Sequence, residues 1–443
     1  MNIREKVRLA GVVGAGGAGF PTHAKLSGRA ELVIANGAEC EPLLRCDRLL
    51  MEREAERIVR GLELAMEATE AKRGVIATKA HYEKAAEAMA RAIAGHPNLS
   101  LHLMEAYYPS GDEKSIVYEV TGRVVKSGQL PLDEGCVVSN VATLAQVADA
   151  CEGKPVTRRA VTVGGAVPDP VTLSVPIGTA MREVIAHSGF SGREEDYALI
   201  VGGPCMGRLE TDWGAPVTKT TGGLLLFPKN HPMILRRTQT PERMLKIARA
   251  VCCQCSQCTQ LCPRNALGLG AQPHKAMRAM TTGNGMLLGG PEAILGCSSC
   301  GLCTNYACPM GLAPSEVMAL YKQALGAAGI RPAPEAEIRV DPFLEYKRVP
   351  TGRLIARMGL AKYDRDAPWQ AEPVKPEKVV IPLRQHIGKA AEPAVRTGDT
   401  VQEGNVIGKI PAKALSARVH ASISGRVTRV TEGEIEITGG EAV

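Results

Sequence analysis

The chain has 443 residues, 45% of them apolar, with 53 Lys and Arg against 46 Asp and Glu for a formal charge of +7. Single cores rarely grow beyond about 250 to 300 residues, so two to four domains are expected. No apolar run approaches the roughly 18 to 20 residues that cross a bilayer, which argues against direct membrane insertion. Four Phe, two Trp and no dense basic run leave little with which to stack bases or follow a phosphate backbone, so nucleic acid is not an expected partner.

From Gly11 the chain reads GVVGAGGAG, followed by Phe20-Pro21-Thr22-His23 and Lys25. Glycines at 14, 16, 17 and 19 let backbone N–H groups approach a phosphate or a flat ring that side chains would otherwise block. The literal G-x-G-x-x-G is a weak dinucleotide finger: Arg4 to Arg8 is charged and helix-like instead of a strand, and Pro21 follows almost at once. The first dozen residues read as a domain-edge helix, with a short targeting helix as the alternative.

Leu32-Val33-Ile34-Ala35 is a short buried-strand pattern ending in Asn36-Gly37-Ala38-Glu39-Cys40-Glu41-Pro42. Leu50 to Lys72 predicts an amphipathic helix with Ile58, Leu62, Ala65 and Met66 on the core face. Val75 to Thr78, Tyr82 to Ala94 and Leu101 to Glu105 continue as strand, helix and strand. This alternation predicts a mostly parallel α/β sheet over residues 1–154. Polar turns at Asn36–Pro42, Tyr108–Lys114 and Val137–Leu144 follow strands or precede helices, where loops converge on a ligand crevice.

After Lys154-Pro155, short strands with glycine turns at Val161–Val163, Leu173–Val175 and Leu199–Val201 predict a small β-rich domain over 155–230. Residues 240–328 carry eight cysteines, with helices expected at Arg243–Ala250 and Pro314–Leu325. Cys252, Cys255, Cys258 and Cys262 precede Pro263 in the spacing C-x2-C-x2-C-x3-C-P; Cys297, Cys300, Cys303 and Cys308 precede Pro309. Such a loop wraps three thiolates around one iron–sulfur cube and sends the fourth to a neighbour, so two 4Fe-4S clusters are expected. By analogy with two-cluster ferredoxins, Cys308 would join Cys252, Cys255 and Cys258, and Cys262 would join Cys297, Cys300 and Cys303. The second run departs from the pattern, with four residues between Cys303 and Cys308 instead of three. Zinc ribbons lack the third cysteine at the next x2 step. Disulfides are not expected either, because a chain of this length can bury its own core and its start does not resemble a secretion signal. Cys253, Cys40, Cys46, Cys136, Cys151 and Cys205 read as small buried thiols.

Residues 329–377 are rich in Pro and charge, as a linker would be. In 378–443, alternating valines with Gly398-Asp399 and Gly404 turns resemble a lipoyl-type barrel-sandwich hybrid. Lys413 lies near the place of a carrier lysine, but between Ala412 and Ala414, so a structural or docking role is expected.

Gly14-Ala15-Gly16-Gly17-Ala18-Gly19-Phe20-Pro21-Thr22 with Lys25 resembles the G-x-G-G-A-G-F-P-T-x-x-K loop of the flavin-bearing NADH-oxidising subunit of respiratory complex I. Asn36 and Glu39, Gly111 and Glu113, and Asn140 and Thr143 resemble further polar positions of that family. The resemblance implies that these residues hold FMN, with NADH as electron donor. A flavin-type domain, a β-grasp (SLBB-like) domain, a helical two-cluster ferredoxin-like domain and a C-terminal barrel-sandwich hybrid are similar to the RnfC group. The barrel-sandwich module placed last resembles the PduS-type cobalamin reductases. The fold class expected is therefore α/β multidomain.

What that resemblance implies is an NADH-dependent flavin and iron–sulfur reductase passing single electrons to cobalamin. Its expected partners are an adenosyltransferase and the shell proteins of a propanediol-utilising microcompartment, and its expected location is the cytoplasm, inside that compartment. An RnfC-like electron-transfer subunit for another acceptor and a non-catalytic docking scaffold remain as alternatives. Each oxidised cluster with its thiolates brings a charge of about −2 and a flavin phosphate about −2 more, so the loaded protein would be near neutral.

Overall fold

A computed structural model describes residues 1–440. The N-terminal unit is a parallel sheet of β1 (Leu32–Gly37), β2 (Arg73–Lys79), β3 (Leu99–Met104) and β5 (Cys136–Asn140), in the order β3-β2-β1-β5. A short β4 (Tyr107–Tyr108) lies outside that sheet. The chain steps outward from β1 to β3 and then returns to the other side of β1. The strand order thus reverses between β1 and β5, and the loops beyond their carboxyl ends diverge into a crevice.

The helix expected from Leu50 to Lys72 is two helices, Cys46–Arg53 and Ala55–Thr69, meeting at Glu54. They serve different contacts. Met51 of the first lies where a Cβ on Gly37 would meet its sulfur at 2.5 Å, and the second packs against helix Val141–Cys151. Gly61 makes that packing possible, because a Cβ there would sit 1.9 Å from the Leu144 carbonyl oxygen. Ile58, Leu62 and Ala65 are fully buried, as their spacing indicates; burying each of the two larger ones contributes about 1.5 to 3 kcal/mol.

The second unit is a five-stranded sheet in the order β7-β6-β10-β8-β9: β6 (Arg158–Gly165), β7 (Val171–Pro176), β8 (Tyr197–Val201), β9 (Arg208–Glu210) and β10 (Gly223–Pro228). The central β10 runs parallel to β6 and antiparallel to β8. Val161, Val163, Leu173, Leu199, Leu224 and Leu226 build its core with helix Met181–Ala186. A helical unit follows, in which Pro241–Val251, Pro273–Thr282 and Pro314–Ala327 enclose Ala248, Ala276, Met277, Val317 and Met318.

The stretch expected as a linker is structured in part. β11 (Val349–Pro350) pairs with β4, and helix Thr351–Arg357 buries Leu354 and Ile355. Together with Leu360 and Tyr363 they join one core with Tyr108, Ile200 and Phe227. The charged and proline-rich composition hides this apolar face, and three units meet on it.

The last unit consists of two small sheets. One orders β12 (Lys378–Pro382), β18 (Glu434–Gly439), β17 (Gly425–Val430) and β14 (Thr400–Val401). The other orders β13 (Glu392–Pro393), β15 (Val406–Lys409) and β16 (Val419–His420). Ile381, Ile407, Val427, Ile435 and Ile437 pack with Val7, Val12 and Val147 of the first unit, so this module is fixed against it. Lys413 is exposed, on a turn at φ +56°.

A buried lysine pins this junction. Lys219 Nζ donates to the carbonyls of Gly11 and Arg418, each at 2.7 Å, and its backbone N–H donates to Gln385 Oε1. Burial lowers its pKa from the usual lysine range to about 7. The folded state therefore resists protonation that the unfolded chain accepts, and stability rises with pH from about 7 to the ordinary lysine value of about 10.4. Lys219→Met is expected to flatten the rise of Tm between pH 7 and 9. It is also expected to cost about 2 kcal/mol or more at the upper end, from two carbonyls left unpaired; thermal denaturation across that pH series measures both.

Candidate functional site

The glycine loop lies between helix Ile3–Leu9 and helix Thr22–Lys25, so no strand feeds it and it is not a βα dinucleotide finger. It closes on itself through Gly14 N–H to the Phe20 carbonyl (2.9 Å) and Gly19 N–H to the Gly14 carbonyl (3.1 Å). Ala15 N–H donates to Thr143 Oγ1 at 2.9 Å, which seats the loop on helix Val141–Cys151 at the end of β5. The N–H groups of Gly16, Gly17 and Ala18 are exposed and donate to no group among the described residues. A Cβ on Gly16 would face Asn140 at 3.5 Å, and one on Gly17 would meet nothing within 4 Å. Exposed glycines whose N–H groups have no partner among the described residues are a donor set that an anion can use, so the loop fits a phosphate-bearing cofactor such as FMN.

The other expected residues gather around the same crevice. Lys25 Nζ donates to the Val138 carbonyl and to Glu113 Oε1, each at 2.6 Å, placing its charge beside the middle of β5. Asn36 Nδ2 holds the Gly111 carbonyl at 3.0 Å and ties the loop after β1 to the turn before helix Glu113–Thr121. Asn140 caps its helix through Ala142 N–H and donates to Asp47 Oδ2 at 2.6 Å. Glu39 and Thr143 are committed to the protein itself. The Glu39 carboxylate accepts from Asp47 and Arg48 N–H groups at 2.8 and 3.1 Å, capping helix Cys46–Arg53, so its part is to fix the loop.

Burial, with the charge of Asp47 adding to it, pushes the Glu39 carboxyl up to about 7, and burial raises Asp47 as well. Lys79, at the end of β2 and 1% exposed, is lowered by burial and lies 5.5 Å from the Tyr82 ring centroid. Arg159 reaches in from β6 to the Ala15 carbonyl at 2.8 Å. Sequence reading passed over Asp47, Lys79 and Arg159. Lys79 did carry a signal, a lysine ending a buried strand beside a crevice; Arg159 comes from another unit and carried none.

The cysteines form two sets. Cys252, Cys255, Cys258 and Cys308 line one pocket with His274 and Met277. Cys262 lies within electrostatic reach of Cys297, Cys300 and Cys303. The extra residue between Cys303 and Cys308 is absorbed by a π-turn, in which Cys308 N–H donates to the Cys303 carbonyl at 3.0 Å. That turn lets Cys308 leave its own run for the other set. Gln254, Ser256 and Ser299 take left-handed backbone, and Ser299 N–H and Gln254 Nε2 each donate to a cysteine sulfur at 3.3 Å. The four thiols of the first set line one pocket, and among the described residues no group of three or more His, Cys, Asp or Glu side chains is gathered tightly enough to hold a single ion; a cube does not need that, since its thiolates sit at its outer corners. Burial pushes Cys258 up to about 12 and Cys262 to about 11, so iron must displace protons to bind there. Of the cysteines outside these two sets, Cys46, Cys136 and Cys205 are buried, Cys40 and Cys151 half-buried, and Cys253 exposed.

Gly16→Leu is expected to leave Tm within a few degrees, because the position is exposed and clears its neighbours, while lowering bound flavin at least tenfold by filling the cradle. Flavin released on denaturation, measured per chain, checks this.

Comparison with known proteins agrees with the geometry. Residues 7–149 match the Nuo51 FMN-binding domain, 251–313 a 4Fe-4S dicluster domain, and 363–442 the RnfC barrel sandwich hybrid domain. The chain is 44% identical over 443 residues to cobalamin reductase PduS of Salmonella typhimurium, covering 99% of this chain and 96% of that one. It is 42% identical over 442 residues to its counterpart in Citrobacter freundii, with the same coverage. A component of the Na(+)-translocating ferredoxin:NAD(+) oxidoreductase complex from Acetobacterium woodii is 38% identical over 268 residues, 59% of this chain and 57% of that one. Similarity that runs from end to end at this level makes the chain a member of the PduS cobalamin reductase family.

Proposed function

We propose that this chain is an oxidoreductase that takes electrons from NADH and delivers them singly to cobalamin. The observation that carries the reading is near-full-length similarity to the cobalamin reductases, joined to a glycine cradle and two four-thiol sets in one polypeptide. FMN supplies the exchange between a hydride donor and one-electron carriers, and two 4Fe-4S clusters supply conduction. Gly14, Gly16, Gly17 and Gly19 present the loop that receives the phosphate, with Lys25 supplying positive charge nearby. Phe20, Asn36, Gly111 and Glu113 would hold the rest of the flavin, and Glu39, Asn140 and Thr143 hold the loops in place. Cys252, Cys255, Cys258 and Cys308 bind one cluster; Cys262, Cys297, Cys300 and Cys303 bind the other.

The domain limits at 154, 230 and 377, with an SLBB-like second unit, belong to the same reading. So does service to adenosylcobalamin recycling in 1,2-propanediol degradation, with an adenosyltransferase and microcompartment shell proteins as partners. Among the described residues no helix is long and apolar enough to cross a membrane. The chain has no D-x-H-x-x-G stretch, so cobalamin binds at a surface or is presented by a partner.

In anaerobic stopped-flow with NADH and hydroxocobalamin, the holoprotein is expected to reduce cobalt at least tenfold faster than the same concentration of free FMN. Equal rates would reject cobalamin as the acceptor. Cys308→Ser is expected to lower iron per chain by about half and leave flavin content unchanged, which metal analysis and absorbance report.

A further inference from the structure

The two thiol sets differ in their surroundings. In one, Cys255 is exposed, Cys252 and Cys258 are half-buried and Cys308 is buried, with exposed Cys253 and Met310 beside them. In the other, none is exposed: Cys262, Cys300 and Cys303 are buried and Cys297 is half-buried. The contacts from the crevice loops are just as uneven. Tyr108, 1% exposed, places its phenol oxygen 2.6 Å from the Cys300 carbonyl oxygen and 3.0 Å from Glu41 Oε1, in the loop after β1. Asp112, next to Gly111 in the second crevice turn, forms a 2.6 Å ion pair with Arg264, two residues beyond Cys262; both side chains are nearly buried. Cys300 and Cys262 belong to the same set. Among the described residues the more exposed set has no such link: the backbone carbonyl of Cys308 is met by Arg357, from the helix at 351–357.

We infer that Tyr108 is a positioning residue that fixes the Cys262, Cys297, Cys300 and Cys303 cluster against the flavin crevice as the inner relay, leaving the Cys252, Cys255, Cys258 and Cys308 cluster as the outlet. The inference rests on the cofactor reading above. Each step moves one electron and makes or breaks no bond: the inner cluster is reduced by one as the flavin is oxidised by one, then reoxidised as the outer cluster is reduced. The hydroxyl of Tyr108 also acts on the inner cluster's electrostatics. A donor beside the ligand loop stabilises the more negative, reduced cluster, and burial away from water does the opposite.

The test uses the anaerobically reduced holoprotein with both clusters loaded, followed by electron paramagnetic resonance. A water-soluble paramagnetic relaxant such as a gadolinium chelate is expected to speed relaxation of one cluster signal severalfold and barely affect the other. Tyr108→Phe is expected to lower the midpoint potential of the shielded cluster alone, with iron content and the relaxed signal unchanged. Equal relaxation of both signals, a shift confined to the relaxed cluster, or no shift at all would overturn the inference. If Tyr108→Phe does not fold, the wild-type relaxation contrast decides the order, and Glu41→Gln, which keeps the side-chain shape, replaces it in the potential measurement. A holoprotein that never acquires iron would instead overturn the cofactor reading itself.

Discussion

One half-buried carboxylate holds three units of this protein at a point. Glu41 accepts from Cys205 N–H at 2.9 Å and Met206 N–H at 3.0 Å in the second unit, and meets the Tyr108 hydroxyl, which reaches the cysteine loop at Cys300. Burial raises its pKa, and a carboxylate partly withdrawn from water is tolerated while donors surround it. Each N–H left unpaired by its loss would cost about 1 to 3 kcal/mol. Gly203 is required beside it, because a Cβ there would lie 2.0 Å from Glu41 Oε2. The relation between crevice and clusters therefore depends on a fixed polar joint and not on loosely apposed surfaces.

Around that joint, the sheet and the cysteine loops do separate work. The reversal of strand order between β1 and β5 opens the crevice, and the glycine loop, fed by no strand, sits at its edge with the N–H groups of Gly16, Gly17 and Ala18 donating to no group among the described residues. The cysteine turns bend through left-handed residues that point N–H groups at sulfur. The last module backs the glycine loop, with Ile387 N–H donating to the Gly19 carbonyl at 3.0 Å. The last module thus forms a wall behind the glycine loop.

Much of this was legible in the sequence because it is local. Cysteine spacing sets which thiols a loop can gather, and period-two and period-3.6 apolar patterns mark strands and helix faces; β1, β2 and helix Glu83–Ala92 fall where those patterns place them. What stayed hidden depends on partners far away in the chain. Glu39 looks like a ligand contact by position, yet it caps a helix whose start could not be placed. β9 and β10 were missed: β9 is only three residues long, and β10 is a wholly buried run between turn-forming residues with no alternation to mark it. The stretch at 349–363 disguises core residues within linker-like composition, and Tyr108 gives no local hint that it touches Cys300, 192 residues away.

The central claim is a continuous electron path from the crevice to both cysteine sets within one chain. Anaerobic titration of the holoprotein with NADH, following flavin absorbance and cluster paramagnetism together, tests it most directly. The account predicts that cluster signals grow in as NADH is added, up to the intensity that dithionite produces. Bleached flavin beside clusters that remain oxidised, though dithionite reduces them, would contradict it.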